Sequence, residues 1–210
     1  KEIGIDSKYF TTDVLEFYNK VNFMKAAIAY SDAITTVSQS YADEILTASF
    51  GCGLDGFLRY HKNKLTGIIN GIDNEHFTPS HDKLLEYPFA NLTEKKLNKK
   101  SYLKEKSLKG ITKPLFIFIG RFTQQKGVDL LINSLEQIAS SDCNIAILGD
   151  GEEIYQEKIM KIVNEYDNIH FEFKYNEVLS HQMYAAADFL LMPSLFEQCG
   201  LNQMIDMSYG

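Results

Sequence analysis

Between Leu115 and Met192, short apolar runs alternate with segments whose apolar residues recur every three or four positions. No other feature restricts the fold of this chain as much. The runs are Leu115-Phe116-Ile117-Phe118-Ile119, Ile145-Ala146-Ile147-Leu148, Ile169 to Phe173 and Phe189 to Met192. Each is too short for most helices, and the first is apolar at every position, as suits a central strand covered on both faces. The intervening segments carry Val128, Leu131, Ile132, Leu135 and Ile138 on one side, then Tyr155, Ile159, Ile162, Val163 and Tyr166 at helical spacing. A short helix is expected over His181 to Ala187. Regular alternation of strand and helix predicts an α/β domain with a doubly wound parallel sheet. Such sheets bind ligands beyond the carboxyl ends of their strands.

The earlier part of the chain is less regular. From Thr12 the positions Val14, Phe17, Tyr18, Val21, Met24 and Ile28 recur at helical spacing, with Thr12 and Asp13 as start signals. They predict a helix with a core-facing aromatic stripe. Ala33 to Val37 reads as a short buried strand, and Ser38 as the N-cap of a helix through about Leu46. The Gly-rich stretch Phe50 to Gly56 reads as a loop, and Leu65 to Ile69 as a strand closed by the Asn70-Gly71 turn. Residues 94–109 hold seven Lys and two Glu. They read as a solvated helix face linking two domains rather than a polyanion site. The expected division is 1–78, a linker over 79–112, and 113–210.

Loops at the expected carboxyl ends carry the chemistry. Pro193 closes the last strand, and the residues after Gly200 meet no breaker before Gly210, so a helix is expected to start there. Its first N–H groups and its dipole favour an anion above the sheet. Glu197 cannot be that anion and instead suits a neutral polyhydroxyl group beside one; a sugar attached to a phosphate meets both demands. On local chemistry alone, an ordinary turn with a solvated Glu197 fits equally well. In the loop Gly120 to Gly127, Arg121 and Lys126 can converge on a diphosphate, Arg through forked hydrogen bonds and Lys as a compact charge. Gly149-Asp150-Gly151 permits close backbone approach, with Asp150 either near a ligand or capping the next helix. His181 reads as structural, and no His/Cys/Asp cluster has metal-ligand spacing along the chain.

Phe196-Glu197-Gln198-Cys199-Gly200-Leu201-Asn202-Gln203 closely resembles the sugar-nucleotide loop of the bacterial glycogen synthases and plant starch synthases. The usual form there is Phe-Glu-Pro-Cys-Gly-Leu-Thr-Gln, so Gln198 and Asn202 are departures. Many related retaining transferases carry a second Glu eight positions after the first, where this chain has Ile205. Arg121 to Gly127 keeps the spacing of the family's Arg-x-x-x-Gln-Lys-Gly motif. Phe23 to Ala26, Ala33 to Ser38, Glu44 to Thr47, Gly53 to Gly56 and Gly67 to Asp73 resemble glycogen synthase segments in the same order.

The resemblance implies a GT-B fold of two Rossmann-like domains, both incomplete in this chain: the end of an acceptor-side domain and a nucleotide-sugar domain. It implies retaining transfer of glucose from ADP-glucose to the non-reducing end of an α-1,4-glucan, with no metal. Arg121, Lys126 and Glu197 take catalytic roles on this reading. Gly149, Asp150, Tyr175 (against the adenine), Cys199, Gly200, Leu201 and Asn202 line the donor. Asn70 lies at the interdomain cleft, or simply supplies a left-handed turn. The family more often has Gly where Lys174 stands.

A net charge of −7 argues against a nucleic-acid surface, and no apolar run is long enough for a membrane span. Three scattered cysteines indicate a reducing compartment, cytoplasmic for a bacterial protein or plastidial for a plant-like one. Starting at Lys1 and lacking the family's Lys-x-Gly-Gly and Thr-Gly-Gly loops, the chain reads as an internal fragment with little transferase activity alone. The alternatives are a related transferase using a UDP- or GDP-sugar, or a non-catalytic nucleotide-sugar or glucan-binding module.

Overall fold

The computed structural model describes residues 4–210. The chain forms two compact units, residues 1–70 and 71–210.

In the first unit, strands β1 (Glu16–Phe17) and β2 (Lys20–Val21) form an antiparallel hairpin. Helix α1 (Phe23–Tyr30) follows, then β3 (Ile34–Thr36), α2 (Gln39–Glu44), α3 (Asp55–Tyr60) and β4 (Leu65–Gly67), which pairs in parallel with β3. The helix predicted from Thr12 therefore starts only at Phe23. Tyr18 and Asn19 both take positive φ, 51° and 59°, the signature of a two-residue hairpin turn. Asn22 then caps α1 by accepting from the Lys25 N–H. The aromatic stripe is lost with the longer helix: Phe23 and Met24 are 56% and 67% exposed. Instead Ile28, Leu54 and Leu58 form a small core with Phe17, Ile34 and Phe57 against it. β3 is half-exposed rather than buried. Ser38 caps α2 as expected, its hydroxyl accepting from the Tyr41 N–H. β4 stops at Gly67, a position whose added Cβ would overlap the Ser38 carbonyl, and leaves Ile68, Ile69 and Asn70 exposed.

The second unit contains helix α4 (Leu92–Glu105), then β5 (Leu115–Ile119), α5 (Val128–Ala139), β6 (Asn144–Gly149), α6 (Glu153–Val163), β7 (Ile169–Phe173), α7 (Glu177–Ala186), β8 (Phe189–Leu190) and α8 (Leu201–Tyr209). The strands lie in the order β7-β6-β5-β8, all parallel. Alternate side chains of the central strands point to opposite faces. Leu115, Ile117, Ile119, Ala146 and Leu148 pack with α4, α7 and α8, whereas Phe118, Ile145 and Ile147 pack with α5 and α6. Ile117, Ile145 and Ile147 are fully buried, each contributing about 1.5–3 kcal/mol of burial. The doubly wound sheet expected from the apolar runs is thus present.

Residues 79–112, expected as a linker, are part of this unit: Leu85, Phe89, Tyr102, Leu103 and Leu108 lie in its core. The lysine-rich helix is correspondingly not a wholly solvated face. Lys96, Lys100 and Lys104 are exposed, but Lys95 and Lys99 are buried. Lys99 Nζ meets Asp188 Oδ2 at 2.5 Å and the Lys113 carbonyl at 2.7 Å, and Lys95 Nζ donates to the Gly210 carbonyl. Their methylene stems cover apolar surface while the ammonium groups find defined acceptors.

The jump from β7 across the sheet to β8 makes the carboxyl ends of β5 and β8 the topological switch point, where open α/β sheets hold their ligands.

Candidate functional site

Two loops meet at that switch point. The first leaves β5 through Gly120, passes Arg121 and Phe122, and makes a single 3-10 turn over Gln124–Lys126 before α5. Phe122 is its anchor: the ring is fully buried within about 6 Å of Phe118, Phe171 and Phe173, and its backbone N–H donates to the Asp150 carbonyl at 2.6 Å. Beyond Phe122 the loop turns through Gly127, which has φ 66° and sits where an added Cβ would stand 1.9 Å from the Pro193 carbonyl oxygen. The chain at this point admits glycine alone.

The second loop, from Pro193 to Gly200, lies directly against the first. The Leu195 N–H donates to the Gln125 carbonyl at 2.9 Å, and the Gln125 side-chain amide donates to Gln198 Oε1 at 3.3 Å. Lys126 Nζ meets Glu197 Oε1 at 2.5 Å, with the two side chains only 20% and 22% exposed. The Ser194 hydroxyl donates to the same Glu197 oxygen at 2.7 Å, which leaves Oε2 without a hydrogen-bond partner among the described residues. Two of the three candidate catalytic residues are thus in direct contact. The third, Arg121, is exposed on the same loop as Lys126, its carbonyl accepts from the Thr123 N–H at 3.0 Å, and its guanidinium has no ion-pair or hydrogen-bond partner among the described residues.

Gly200 ends the second loop with φ 83° and caps α8 with no side-chain hydrogen bond. The first N–H groups of α8, from Leu201 onward, therefore have no acceptor from an N-cap side chain and carry the positive end of the helix dipole. Cys199 beside them is a half-buried free thiol. Asn202 departs from a purely ligand-facing role, because its amide nitrogen donates to the Ile119 carbonyl and ties α8 to the end of β5. Ile205 is buried in the core and offers no polar group at the position of a second Glu.

The remaining candidates flank these loops. An added Cβ at Gly149 would stand 1.9 Å from the Gly120 carbonyl oxygen, and Gly151 bridges to Phe122. Both glycines let the end of β6 close on the first loop. Asp150 does not cap α6: the N-cap is Glu152, and no side chain bonds there. Tyr175 is more than half exposed beside the end of β7. Lys174 before it holds φ 141°, a conformation favouring glycine, while its N–H donates to the Gly149 carbonyl at 2.8 Å. Asn70 belongs to the first unit and is exposed.

Three contacts lie outside the motifs read along the chain. Ser194 orients Glu197 from three residues upstream, a Ser-x-x-Glu spacing visible in the sequence. The Gln125–Gln198 bond spans 73 residues and exists because Gln stands where the related motif has Pro. Finally, His76, Glu177 and His181, which lack a metal-binding pattern along the chain taken together, converge in space.

A parallel sheet with glycine-lined loops and a helix N-terminus at its switch point defines a doubly wound α/β fold with a candidate ligand site. The chain belongs to the family of glycosyl transferases group 1, whose model matches residues 99–210. Residues 1–60 match the starch synthase catalytic domain. The chain is 40% identical to a glycogen synthase of Cellvibrio japonicus, the alignment covering 100% of this chain and 44% of that protein. It is 41% identical to a glycogen synthase of Thermodesulfovibrio yellowstonii, covering 99% and 42%. It therefore spans a little under half the length of these curated relatives.

Among solved structures, the catalytic domain of starch synthase IV from Arabidopsis thaliana, bound to ADP and acarbose, superposes with a TM-score of 0.92 at 35% identity, covering 98% of this chain and 44% of that one. A sucrose-phosphate synthase from Thermosynechococcus elongatus, at 17% identity and TM-score 0.60 over 97% of this chain and 45% of that one, shares the fold. The GT-B class and the resemblance to glycogen and starch synthases read from the motifs are both borne out. No helix among the described residues is long and apolar enough to cross a membrane.

Proposed function

We propose that this chain carries the donor cradle of a retaining glucosyltransferase that moves glucose from ADP-glucose to the non-reducing end of an α-1,4-glucan. The observation that carries the reading is the Lys126–Glu197 contact at 2.5 Å beside the uncapped start of α8. It places a cation, a carboxylate and free N–H groups within one small volume. As the glycosidic bond breaks, the leaving diphosphate gains negative charge, and Arg121, Lys126 and the α8 N-terminus stabilise it. Glu197 keeps one oxygen for the glucosyl hydroxyls, held in place by Lys126 and Ser194. Backbone at Gly149 and Gly151 approaches the nucleotide closely, Asp150, Cys199, Gly200 and Leu201 line the site, and the exposed Tyr175 ring receives the adenine, a stacking contact worth roughly 1–3 kcal/mol by analogy with base stacking. Asn202 contributes through position rather than through its committed amide nitrogen.

An ADP donor is supported by the relationship to glycogen synthases, by Ile205, and by the ADP bound in the related starch synthase IV structure. The acarbose in that same structure supports a glucan acceptor. The transfer step uses no metal on this reading, and the compartment is the cytoplasm, as fits a relationship to bacterial glycogen synthases.

Calorimetric titration with ADP, ADP-glucose and UDP-glucose tests the cradle. ADP-type ligands bind, and Lys126→Ala weakens them by about 1.5–3 kcal/mol, as loss of a charged hydrogen bond does. Equal binding in Lys126→Ala overturns the assignment. Transfer of glucose to a maltooligosaccharide by the whole protein, with ADP-glucose preferred to UDP-glucose, tests the reaction; this chain alone gives little turnover.

A further inference from the structure

Around α7 of the second unit, the structure holds a polar centre that the donor cradle does not use. His181 on α7 is fully buried. Its Nδ1 lies 2.7 Å from Asp82 Oδ2, and the Tyr209 hydroxyl donates to the same carboxylate oxygen at 2.5 Å. Asp82 is itself buried and also accepts the Leu84 N–H. A carboxylate so placed keeps the imidazole proton on Nδ1, so the lone pair is on Nε2. That Nε2 is buried and has no hydrogen-bond partner among the described residues. A buried acceptor without a donor is rare in native proteins, and an imidazole whose other nitrogen donates to a carboxylate is the arrangement found behind metal-bound histidines.

The neighbours of this ring complete the set. Glu177 lies one turn before His181 on α7, and His76 comes from the segment that opens the unit. His76 Nε2 and Glu177 Oε1 are 3.0 Å apart, and one ligand atom from each of the three residues lies within 4.8 Å of the others. Two donors on one tetrahedral ion, each at about 2.0–2.2 Å, stand roughly 3.4 Å apart. The exposed His76 and Glu177 side chains, 42% and 58% accessible, have the freedom to close the remaining gap on the fixed His181. The His76 ring already sits edge-on to His181 with centroids 4.8 Å apart, and Phe77 stacks on the ring's face at 4.9 Å. Solvent at the His76–Glu177 side supplies an entry path and a fourth ligand.

We propose that His76, Glu177 and His181 form a binding site for one divalent transition-metal ion of the Zn2+ type, which fastens the segment around His76 to the first turn of α7. Two imidazoles and one carboxylate suit zinc and its transition-metal neighbours better than the all-oxygen preference of Ca2+ or Mg2+. The ion's role is structural: it fixes the start of α7, two residues beyond Tyr175.

The test uses this chain stripped with EDTA and titrated with Zn2+ against a chromophoric chelator, with Co2+ as a spectroscopic probe. One equivalent of Zn2+ is taken up, the thermal midpoint rises with Zn2+, and Co2+ gives tetrahedral d–d bands without a thiolate charge-transfer band. His76→Ala lowers the affinity by more than about 100-fold, beyond the loss typical of an outer-shell change. Glu177→Gln lowers it in the same direction. Both side chains are exposed, and the metal-free variants keep the metal-free midpoint of the parent. Uptake below one equivalent, affinity unchanged in the two variants, or a thiolate-type Co2+ spectrum removed by Cys52→Ser overturns the proposal.

Discussion

Gly127→Ala isolates the seam between the two loops at the switch point. Two costs arise from the structure. Alanine at φ 66° costs about 1–2 kcal/mol in the left-handed region, from which its stiffer unfolded chain returns about 0.4–1 kcal/mol. The new methyl must also move off the Pro193 carbonyl oxygen, because it would stand at 1.9 Å where real contacts keep beyond 3.0 Å. A separation of more than an ångström at Pro193 breaks the Leu195–Gln125 backbone bond, worth about 1 kcal/mol, and stretches the Lys126–Glu197 contact, worth about 1.5–3 kcal/mol when charge-assisted. The net loss is about 3–4 kcal/mol, or roughly 10 °C in a thermal melt followed by circular dichroism. Gly71→Ala is the matched control, since it has open space around it and no positive φ; it is neutral or slightly stabilising. If Gly127→Ala melts within 2 °C or so of the Gly71→Ala control, the seam does not hold the loops together and the reasoning fails.

Lys174→Gly stabilises the fold by about 1 kcal/mol, because relief of a strained φ of 141° at an exposed side chain exceeds glycine's extra unfolded entropy; a lower urea midpoint refutes the strain. His170, hydrogen-bonded to the Tyr102 hydroxyl at 2.8 Å, has its pKa pushed down from 6.5 to about 4, first by burial and then by Lys106. The unfolded chain therefore takes up the proton before the folded one does. This stability term is complete above pH 6.5 and is lost as pH falls toward 4, by about 2–3 kcal/mol. His170→Gln flattens that part of the urea-midpoint profile, and an unchanged profile counts against it. Lys99→Met costs about 2 kcal/mol, since Asp188 keeps the Leu115 N–H but loses its ammonium partner. Combining it with Asp188→Asn recovers part of that loss, and strict additivity in denaturant titrations shows the pair is not coupled.

What could be read along the chain, and what could not, divides by the kind of interaction involved. β5, β6, β7 and α5 lie within a residue or two of the runs that predicted them, and α6 ends three residues short of Tyr166, because burial by hydrophobic side chains imprints a period on the sequence itself. The glycines at 127, 149 and 200 were visible for a similar local reason: only glycine serves there, so the residue type announces the constraint. The hairpin at Tyr18-Asn19 was missed because neither residue is the glycine that normally marks such a turn, and the apolar positions around it happen to fit a helical period.

Polar pairing leaves no such imprint. Lys95 and Lys99 sit in a lysine-rich run whose composition says solvent, and their burial depends on acceptors such as Asp188, 89 residues beyond Lys99. Likewise His181 looks like any helix residue until Asp82, 99 residues earlier, takes its Nδ1 and leaves Nε2 facing no donor. A hydrophobic residue is stabilised by leaving water for any apolar neighbour, whereas a buried polar group is stabilised only by a particular partner at a particular distance. The residues that make the Lys126–Glu197 contact were therefore nameable from their motifs, but the contact was not. The same asymmetry explains why the His76–Glu177–His181 centre, which is entirely polar and assembled from two segments far apart in the chain with Asp82 behind it, emerges only in the folded structure.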